Sequence, residues 1–195
     1  MERDDYQGDL TKTSVEFTHC RSCSVVEEGQ QPVAGYFAAD FELPELQQLY
    51  AQQVMPHRDH SRNNLRIATF SSLLELQRIR LNAGERLGLY VEMKNAWYHT
   101  QRGFDIVQLL LDALLLSDLD AVDLQNLFAV QSFEYAALED FSRRMRLKQL
   151  DVPLVWLLDC SSSLPTSDQL GEFAKLATYV AVGCATLYFW SAELL

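Results

Sequence analysis

The sequence predicts an α/β protein in which helices alternate with the strands of a parallel sheet. From residue 70 onward, segments with helical periodicity alternate with short segments rich in β-forming residues. This order is typical of parallel strands joined by right-handed helical crossovers. Residues 153–158 form a continuous apolar run, which is typical of a strand covered on both faces. Apolar residues make up 48% of the 195-residue chain, enough for a hydrophobic core.

The charge and hydropathy of the chain limit its partners. With neutral histidines the net charge is −11, from 16 basic and 27 acidic residues. Binding to a nucleic-acid backbone needs a basic face, so nucleic acid is not an expected partner, whereas a small anionic substrate needs only local positive charge. No apolar stretch reaches the roughly 20 residues of a membrane span. The acidic start of the chain is unlike a signal peptide, which makes the cytoplasm the default expectation.

The first 35 residues are polar and are interrupted by glycine and proline. They predict a loop or an insertion with little regular structure, followed by one β/α domain over residues 36–195. Cys20 and Cys23 form a Cys-x-x-Cys pair in this segment. A zinc site needs two further ligands at suitable spacing, and a redox pair needs a preceding apolar strand. Because neither is found, free thiols are the favoured interpretation, with a metal or redox role as the alternative.

A first helix is predicted to begin at Asp40, whose side chain can cap it, with Pro44 in the first turn. Its apolar stripe follows helical spacing and consists of Leu46, Leu49 and Tyr50. The helix is expected to end before Pro56, and a polar loop is expected over residues 57–64.

A second helix is predicted over residues 70–81, where Thr69 can cap the start and Gly84 can end it. Residues 87–94 are rich in β-forming residues and predict a short strand. The remaining elements are predicted as helices over residues 103–116, 133–147 and 168–176 and as strands over residues 127–133, 153–158 and 179–189.

These elements favour a (β/α) barrel over a nucleotide-binding doubly wound fold. No glycine-rich phosphate loop follows any predicted strand, so the usual fingerprint of the latter is missing. An active site of a barrel lies at the carboxyl ends of its strands. A complete barrel of eight strands takes about 250 residues, which is more than this chain has.

Glu92 and Lys94 are the most informative pair of residues. They close an apolar strand two residues apart, so strand periodicity places them on one face together with Tyr90. A carboxylate oxygen suits a hard divalent cation, and a lysine can neutralise a phosphate oxygen. This combination suits phosphoryl chemistry. The alternative is a salt-bridged pair at the end of a sheet.

Other polar residues are expected near the same opening. Gln131 and Ser132 end the next predicted strand, and they either line the active-site opening or, for Ser132, cap the following helix. Of the histidines, His99 follows the Glu92 strand and is the best candidate for this region. The others lie in predicted loops: His19, His57 and His60. A solvated histidine without a catalytic role is the alternative for all four.

Five segments of the chain resemble the glycerophosphodiester phosphodiesterase family, in the family's own order. Residues 90–99, with Glu92, Lys94 and His99, are similar to its Glu-x-Lys strand, which an aromatic residue and a histidine follow. The other similar segments are residues 36–49 with Asp40-Phe41 and Glu45-Leu46, residues 67–76 with Thr69-Phe70, the strand end Gln131-Ser132-Phe133, and residues 153–158. Together they cover about residues 35–180.

This resemblance implies a partial TIM barrel of the phospholipase-C-like phosphodiesterase type that lacks the first strands. It implies hydrolysis of glycerophosphodiesters to glycerol 3-phosphate and an alcohol in lipid metabolism, with a divalent cation, Ca²⁺ or Mg²⁺. Glu92 matches a metal-ligand carboxylate of the family, and Lys94 matches the lysine that faces the phosphate. Gln131 and His99 are expected to line the opening.

The catalytic histidines of the family have no match in this chain. The family's His-Arg-Gly strand, its Glu-x-Asp strand and its second histidine motif are not found, and residues 3–14 resemble the segment just after that second histidine. The chain is therefore expected to begin after the catalytic half and to turn over little substrate by itself. The alternatives are a non-catalytic binding or regulatory remnant of the barrel and an unrelated α/β interaction protein.

Overall fold

The structure is a computed structural model of the chain. It describes residues 22–24, 33–35, 37–51, 59, 65–158, 166–176 and 178–182. The chain divides into two compact units, Met1–Leu73 and Leu74–Leu195, and the division falls within a helix. Among the described residues, no helix combines the length and the apolar character needed to cross a membrane.

The first unit contains two pairs of short antiparallel strands. Strand β1 (Ser22–Ser24) pairs with β2 (Val33–Gly35), and β3 (Tyr50–Ala51) pairs with β4 (Leu65–Arg66). The β1–β2 pair lies in the segment that was expected to have little regular structure, and these two short strands were not predicted. Strands of three residues are too short to show a period-two pattern in the sequence.

Helix α1 (Leu43–Leu46) has a single turn and follows a 3-10 turn over Ala38–Asp40. The prediction of a longer helix that begins at Asp40 is therefore wrong. The N-cap residue is Glu42, and its backbone N–H donates to the carboxylate of Glu45 at 2.8 Å. This bond places the start of the helix after Asp40.

Arg66 binds the backbone directly after α1. Its guanidinium group donates to the carbonyl of Gln47 at 3.1 Å and to that of Gln48 at 2.7 Å. It also lies over the ring of Tyr50, 4.1 Å from the centroid. Gln47 is the C-cap of α1 and Gln48 follows it, so Arg66 supplies donors to the two carbonyls directly after the helix. The backbone then extends into β3, so Leu49 is buried while Tyr50 is exposed.

The second unit is built on a parallel sheet of four strands. In sheet order these are β5 (Leu89–Glu92), β6 (Phe128–Ser132), β7 (Leu154–Leu158) and β8 (Tyr179–Val182). The helices from residue 70 onward are α2 (Phe70–Asn82), α3 (Ala96–Gln101), α4 (Ile106–Leu115), α5 (Ala121–Leu127), α6 (Tyr135–Leu147) and α7 (Ser167–Phe173). The predicted α/β class is confirmed, and consecutive parallel strands with helical connections are the arrangement of a (β/α) barrel wall.

Polar side chains determine where the helices begin. Thr69 Oγ1 accepts from the backbone N–H of Ser72 at 3.1 Å, so the predicted cap of α2 is confirmed. Gly84, with φ +81°, follows the end of that helix as predicted. Asp105 and Asp120 accept backbone N–H groups in the first turns of α4 and α5, at 2.9 and 2.8 Å. Because Asp105 is the cap, α4 begins later than the predicted residue 103.

Helices α3 and α5 were not predicted. Each is short and buries two apolar side chains: Ala96 and Tyr98 in α3, Leu124 and Leu127 in α5. Two buried positions are too few to establish a helical period in the sequence. The connection between β5 and β6 therefore contains three helices where one was expected.

The sheet has two different faces. Val130 and Ser132 of β6 lie on the same face as Trp156 of β7, which is in register with Ser132. Trp156 packs against Tyr135 of α6 and Phe173 of α7, with ring centroids 5.4 and 4.9 Å away, so we call this the helix face. The opposite face, which we call the Glu92 face, carries one residue in register from each strand: Glu92, Gln131, Val155 and Tyr179.

The core of the second unit lies on the helix face, where α4 and α6 pack together and α6 packs against β6 and β7. Its most deeply buried side chains include Leu111, Leu114, Val130, Leu138, Phe141 and Leu154. Arg144 of α6 joins this helix to the start of α4 through a bond to Asp105 at 2.7 Å, and within α6 it bonds to Asp140 at 2.5 Å. Burial raises the pKa of the Asp140 carboxyl, but hydrogen bonds from Arg144 and Arg143 outweigh it and hold that pKa below its ordinary value.

Candidate functional site

Glu92 and Gln131 lie side by side at the carboxyl edge of the sheet. Glu92 is the last residue of β5, and the strand register pairs it with Gln131 of β6. The backbone N–H of Met93 donates to the Gln131 carbonyl at 2.9 Å, which extends the pairing one residue beyond the strand. Glu92 is exposed and Gln131 is half-buried. The structure therefore brings these two predicted site residues together.

Lys94 lies in the turn after β5 instead of in the strand itself. The strand ends at Glu92, Met93 is buried, and Lys94 is exposed. Asn95 completes the turn with left-handed backbone angles, φ 53° and ψ 47°. Asparagine adopts this conformation more readily than most residues. The predicted strand over residues 87–94 is thus too long, but Lys94 remains at the same carboxyl edge as Glu92.

Glu92 and Lys94 are not engaged with each other. Among the described residues, no ion pair joins them, and neither forms an ion pair with another described side chain. The sequence alternative of a salt-bridged pair is therefore wrong for the structure. Both charges remain available to a ligand at this edge.

Ser132 takes neither of the two roles expected of it. Its side chain is completely buried, and the N-cap of α6 is Glu134. Ser132 Oγ donates to the carbonyl of Met93 at 2.8 Å and accepts from the backbone N–H of Glu134 at 3.1 Å. The hydroxyl therefore links the turn after β5 to the start of α6.

Glu134 is a residue that the sequence did not single out. Its Oε2 accepts from the backbone N–H of Trp97 at 2.8 Å, in the first turn of α3. The N-cap of α3 is Asn95, whose own side chain makes no capping bond. Glu134 therefore supplies the missing acceptor from a position distant in the sequence. Its place directly after Gln131-Ser132-Phe133 was the signal available, but a capping contact between helices leaves no local pattern.

His99 lies in α3, on the connection that leaves the Glu92 strand. The ring is half-buried and meets the ring of Tyr98 edge-on, with centroids 5.1 Å apart. Burial lowers the pKa of His99 below its ordinary value. The imidazole is thus neutral near pH 7, which suits a proton acceptor, and its assignment to the opening stays a prediction.

The described residues fit a divalent cation in donor type but not in donor number. A carboxylate such as Glu92 is the oxygen ligand that Mg²⁺ and Ca²⁺ prefer. Within the described ranges, however, no group of three or more His, Cys, Asp or Glu side chains is close enough to hold a metal ion. Glu92 can therefore be one ligand of such an ion, and it does not make a complete site with the described residues.

Several residues considered in the sequence lie outside this description. His19, His57, His60 and Cys20 are outside the described residues. Cys23 lies in β1, where only the backbone is described. The interpretation of the cysteines as free thiols stays a prediction.

The fold and this edge define an α/β protein with an unpaired carboxylate and an unpaired ammonium group beside each other among its described residues. A curated glycerophosphodiester phosphodiesterase of Haemophilus influenzae is 28% identical to this chain over 137 residues. The alignment covers 63% of this chain and 37% of that relative. No family model matches the chain. No solved structure matches it.

The similarity agrees with the family that residues 90–99 and the other segments resemble. The chain is similar to a phosphodiester hydrolase, and the similar region spans well under half of that relative's length.

Proposed function

We propose that this chain forms the phosphate-binding part of a glycerophosphodiester phosphodiesterase. Such an enzyme hydrolyses glycerophosphodiesters to glycerol 3-phosphate and an alcohol, a reaction of lipid and glycerol metabolism. The observation that carries the proposal is the position of Glu92 and Lys94 at one carboxyl edge, with no ion pair between them among the described residues. The similarity to the Haemophilus influenzae phosphodiesterase supports the same class.

Lys94 supplies the positive charge that a phosphodiester meets. The net charge of the chain is −11, so an anion is repelled by most of the surface and depends on local positive charge. A lysine ammonium is a compact charge with three donors, suited to a phosphate oxygen. Gln131 lies in register beside Glu92 and brings an amide that can donate to a phosphate or hydroxyl oxygen.

Glu92 is proposed as one ligand of a divalent cation, Ca²⁺ or Mg²⁺. When bound, such a cation polarises the phosphoryl group and neutralises developing charge. The contribution of this chain is the carboxylate oxygen at the strand end. The exposed position of Glu92 leaves that oxygen accessible.

A second candidate function is a binding or regulatory protein without catalysis. The positions of the histidines favour this function. Among the described residues the one histidine is His99, and it is half-buried in α3. Hydrolysis with two acid–base groups needs both to be positioned at the substrate. We therefore expect the chain by itself to bind a glycerophosphodiester and to hydrolyse it little or not at all.

A direct assay separates the two functions. The purified chain is mixed with glycerophosphocholine and Ca²⁺ or Mg²⁺, and release of glycerol 3-phosphate is measured. Little or no release is expected. Robust release that disappears in Lys94→Met would show that the chain supplies its own acid and base and would exclude the non-catalytic function. An upstream reading frame that encodes His-Arg-Gly and Glu-x-Asp would identify the chain as part of a longer enzyme.

The cation proposal has its own test. Ca²⁺ binding is measured by calorimetry for the unaltered chain, for Glu92→Gln and for Glu139→Gln. Glu139 is an exposed carboxylate of α6 and serves as the charge-matched control. We expect Glu92→Gln to weaken Ca²⁺ binding and the control to leave it unchanged. Equal affinities for all three proteins would contradict the role of Glu92.

A further inference from the structure

We propose that Ser132 and Glu134 are positioning residues for Lys94, because they hold both ends of the turn on which Lys94 lies. Under this proposal the side chains of Ser132 and Glu134 do not contact the phosphate. Both act through the backbone of the turn after β5. The inference rests on the proposed phosphate-binding function and identifies the residues that determine how well Lys94 is presented.

The first attachment is at Met93, immediately before Lys94. Ser132 Oγ donates to the Met93 carbonyl at 2.8 Å, and the Gln131 carbonyl accepts from the Met93 N–H at 2.9 Å. Ser132 is completely buried, so water does not compete for its hydroxyl. Both polar groups of the Met93 backbone are therefore bound to the end of β6.

The second attachment is at Trp97, three residues after Lys94. Glu134 Oε2 accepts from the Trp97 N–H at 2.8 Å, a charge-assisted bond to the first turn of α3. Ser132 Oγ also accepts from the N–H of Glu134, so the two attachments are joined. The left-handed backbone of Asn95 lies between these two points, where the chain reverses into α3.

The attachments at Met93 and Trp97 matter for Lys94 because no other contact among the described residues restrains it. The side chain is exposed and forms no ion pair within the described part of the chain. A free lysine side chain loses rotamer entropy when it binds a ligand, and a mobile backbone beneath it adds to that loss. Fixing residues 93 and 97 removes the backbone contribution before the ligand binds.

The test compares Ser132→Ala and Glu134→Ala with two matched controls. Ser142→Ala removes another buried hydroxyl, one without a hydrogen-bond partner in the structure. Glu139→Ala removes an exposed carboxylate from the first half of α6. Affinity for glycerol 3-phosphate is measured for each protein, and thermal unfolding shows that each is folded.

We expect Ser132→Ala and Glu134→Ala each to weaken glycerol 3-phosphate binding by about tenfold, the effect of losing about one hydrogen bond. The controls should bind as the unaltered chain does. The sign is informative for Glu134, because removing a negative charge would, through reduced Coulomb repulsion alone, strengthen anion binding. Glu134→Gln keeps an acceptor oxygen and should restore most of the affinity.

The Lys94→Met background shows whether the effect passes through Lys94. There, Ser132→Ala should cause no further loss, because the contact that it positions is already gone. An equal loss in both backgrounds, or unchanged affinity in Ser132→Ala and Glu134→Ala, would overturn the positioning role while leaving the proposed function standing.

Failure of the unaltered chain to bind glycerol 3-phosphate would instead contradict the proposed function, and the positioning role with it. Amide hydrogen exchange then tests whether Glu134 still holds the turn after β5. Faster exchange at Trp97 in Glu134→Ala would show that the turn is held as described, and unchanged exchange would contradict that part too.

Discussion

The two faces of the parallel sheet are formed by the same strands but differ in how far their side chains are buried. On the helix face, Val130 and Phe141 are 0% exposed, and Trp156 packs against rings from α6 and α7. On the Glu92 face, Tyr90 and Tyr179 are 68% and 57% exposed. Substitutions on the helix face should therefore change stability, and substitutions at the carboxyl edge of the Glu92 face should change binding.

The largest effect on stability is expected for Phe141→Ala. The ring is fully buried, and its removal should lower the free energy of unfolding by about 3–5 kcal/mol. Urea denaturation measures this change. Leu147, at the end of the same helix, is 75% exposed, and Leu147→Ala should change stability by about 0.5 kcal/mol or less. Similar losses for both variants would contradict the placement of the core.

A smaller effect is expected for Arg144→Met, which removes the bond from α6 to Asp105 and the bond within α6 to Asp140. Because these side chains are partly exposed, the loss at neutral pH should be about 1 kcal/mol. Arg143→Met, at a more exposed position, should cost less.

Arg144→Met should also change how the stability of the chain depends on pH. Burial raises the pKa values of both carboxyls, but hydrogen bonds outweigh it and hold each pKa below the ordinary value of 3.8: from the Gln108 backbone N–H and Arg144 to Asp105, and from Arg144 and Arg143 to Asp140. The stability from this pairing is therefore present above pH 3.8 and lost as pH falls through the lower pKa values of the folded state. The difference between the unaltered chain and Arg144→Met should shrink in that range, and a difference that persists would count against the pairing.

His99 should make a small contribution to the pH dependence of stability. Burial lowers its pKa below 6.5 in the folded chain, so the unfolded chain binds the proton first as pH falls. Stability is full above pH 6.5 and decreases below it, until the folded-state pKa is reached. His99→Gln should flatten this part of the stability curve. A curve that does not change would show that the ring is more accessible to water than in the structure.

The smallest effect on stability is expected at the carboxyl edge. Glu92→Gln and Lys94→Met should each change the free energy of unfolding by about 0.5 kcal/mol or less, because both side chains are exposed and unpaired among the described residues. Chemical denaturation measures this. A loss of more than about 1 kcal/mol would indicate a structural role for the pair.

The sequence was sufficient for the regular part of the fold. Residues 153–158 and the periodic segment around Phe141 identified β7 and α6, because long apolar patterns reflect burial directly. The prediction of the first helix was wrong for the opposite reason, since the backbone after α1 is bound by Arg66, a residue far from it in sequence. The same limit applies to α3 and α5, which bury too few side chains to show a period.

The candidate site also has residues that could be predicted from the sequence and residues that could not. Glu92, Lys94 and Gln131 could be predicted because strand ends of a parallel sheet share one edge. Ser132 and Glu134 could not be assigned, because their roles depend on hydrogen bonds to Met93 and Trp97 that only the folded chain brings about.

The central claim is that a phosphate ligand binds at the carboxyl edge of the Glu92 face. A titration of the ¹⁵N-labelled chain with glycerol 3-phosphate, followed through backbone amide shifts, tests it most directly. The account predicts the largest changes at residues 92–95 and at Gln131, with little change in α6 beyond its first turn and none of these changes in Lys94→Met. Changes centred on the helix face, or equal changes in Lys94→Met, would contradict it.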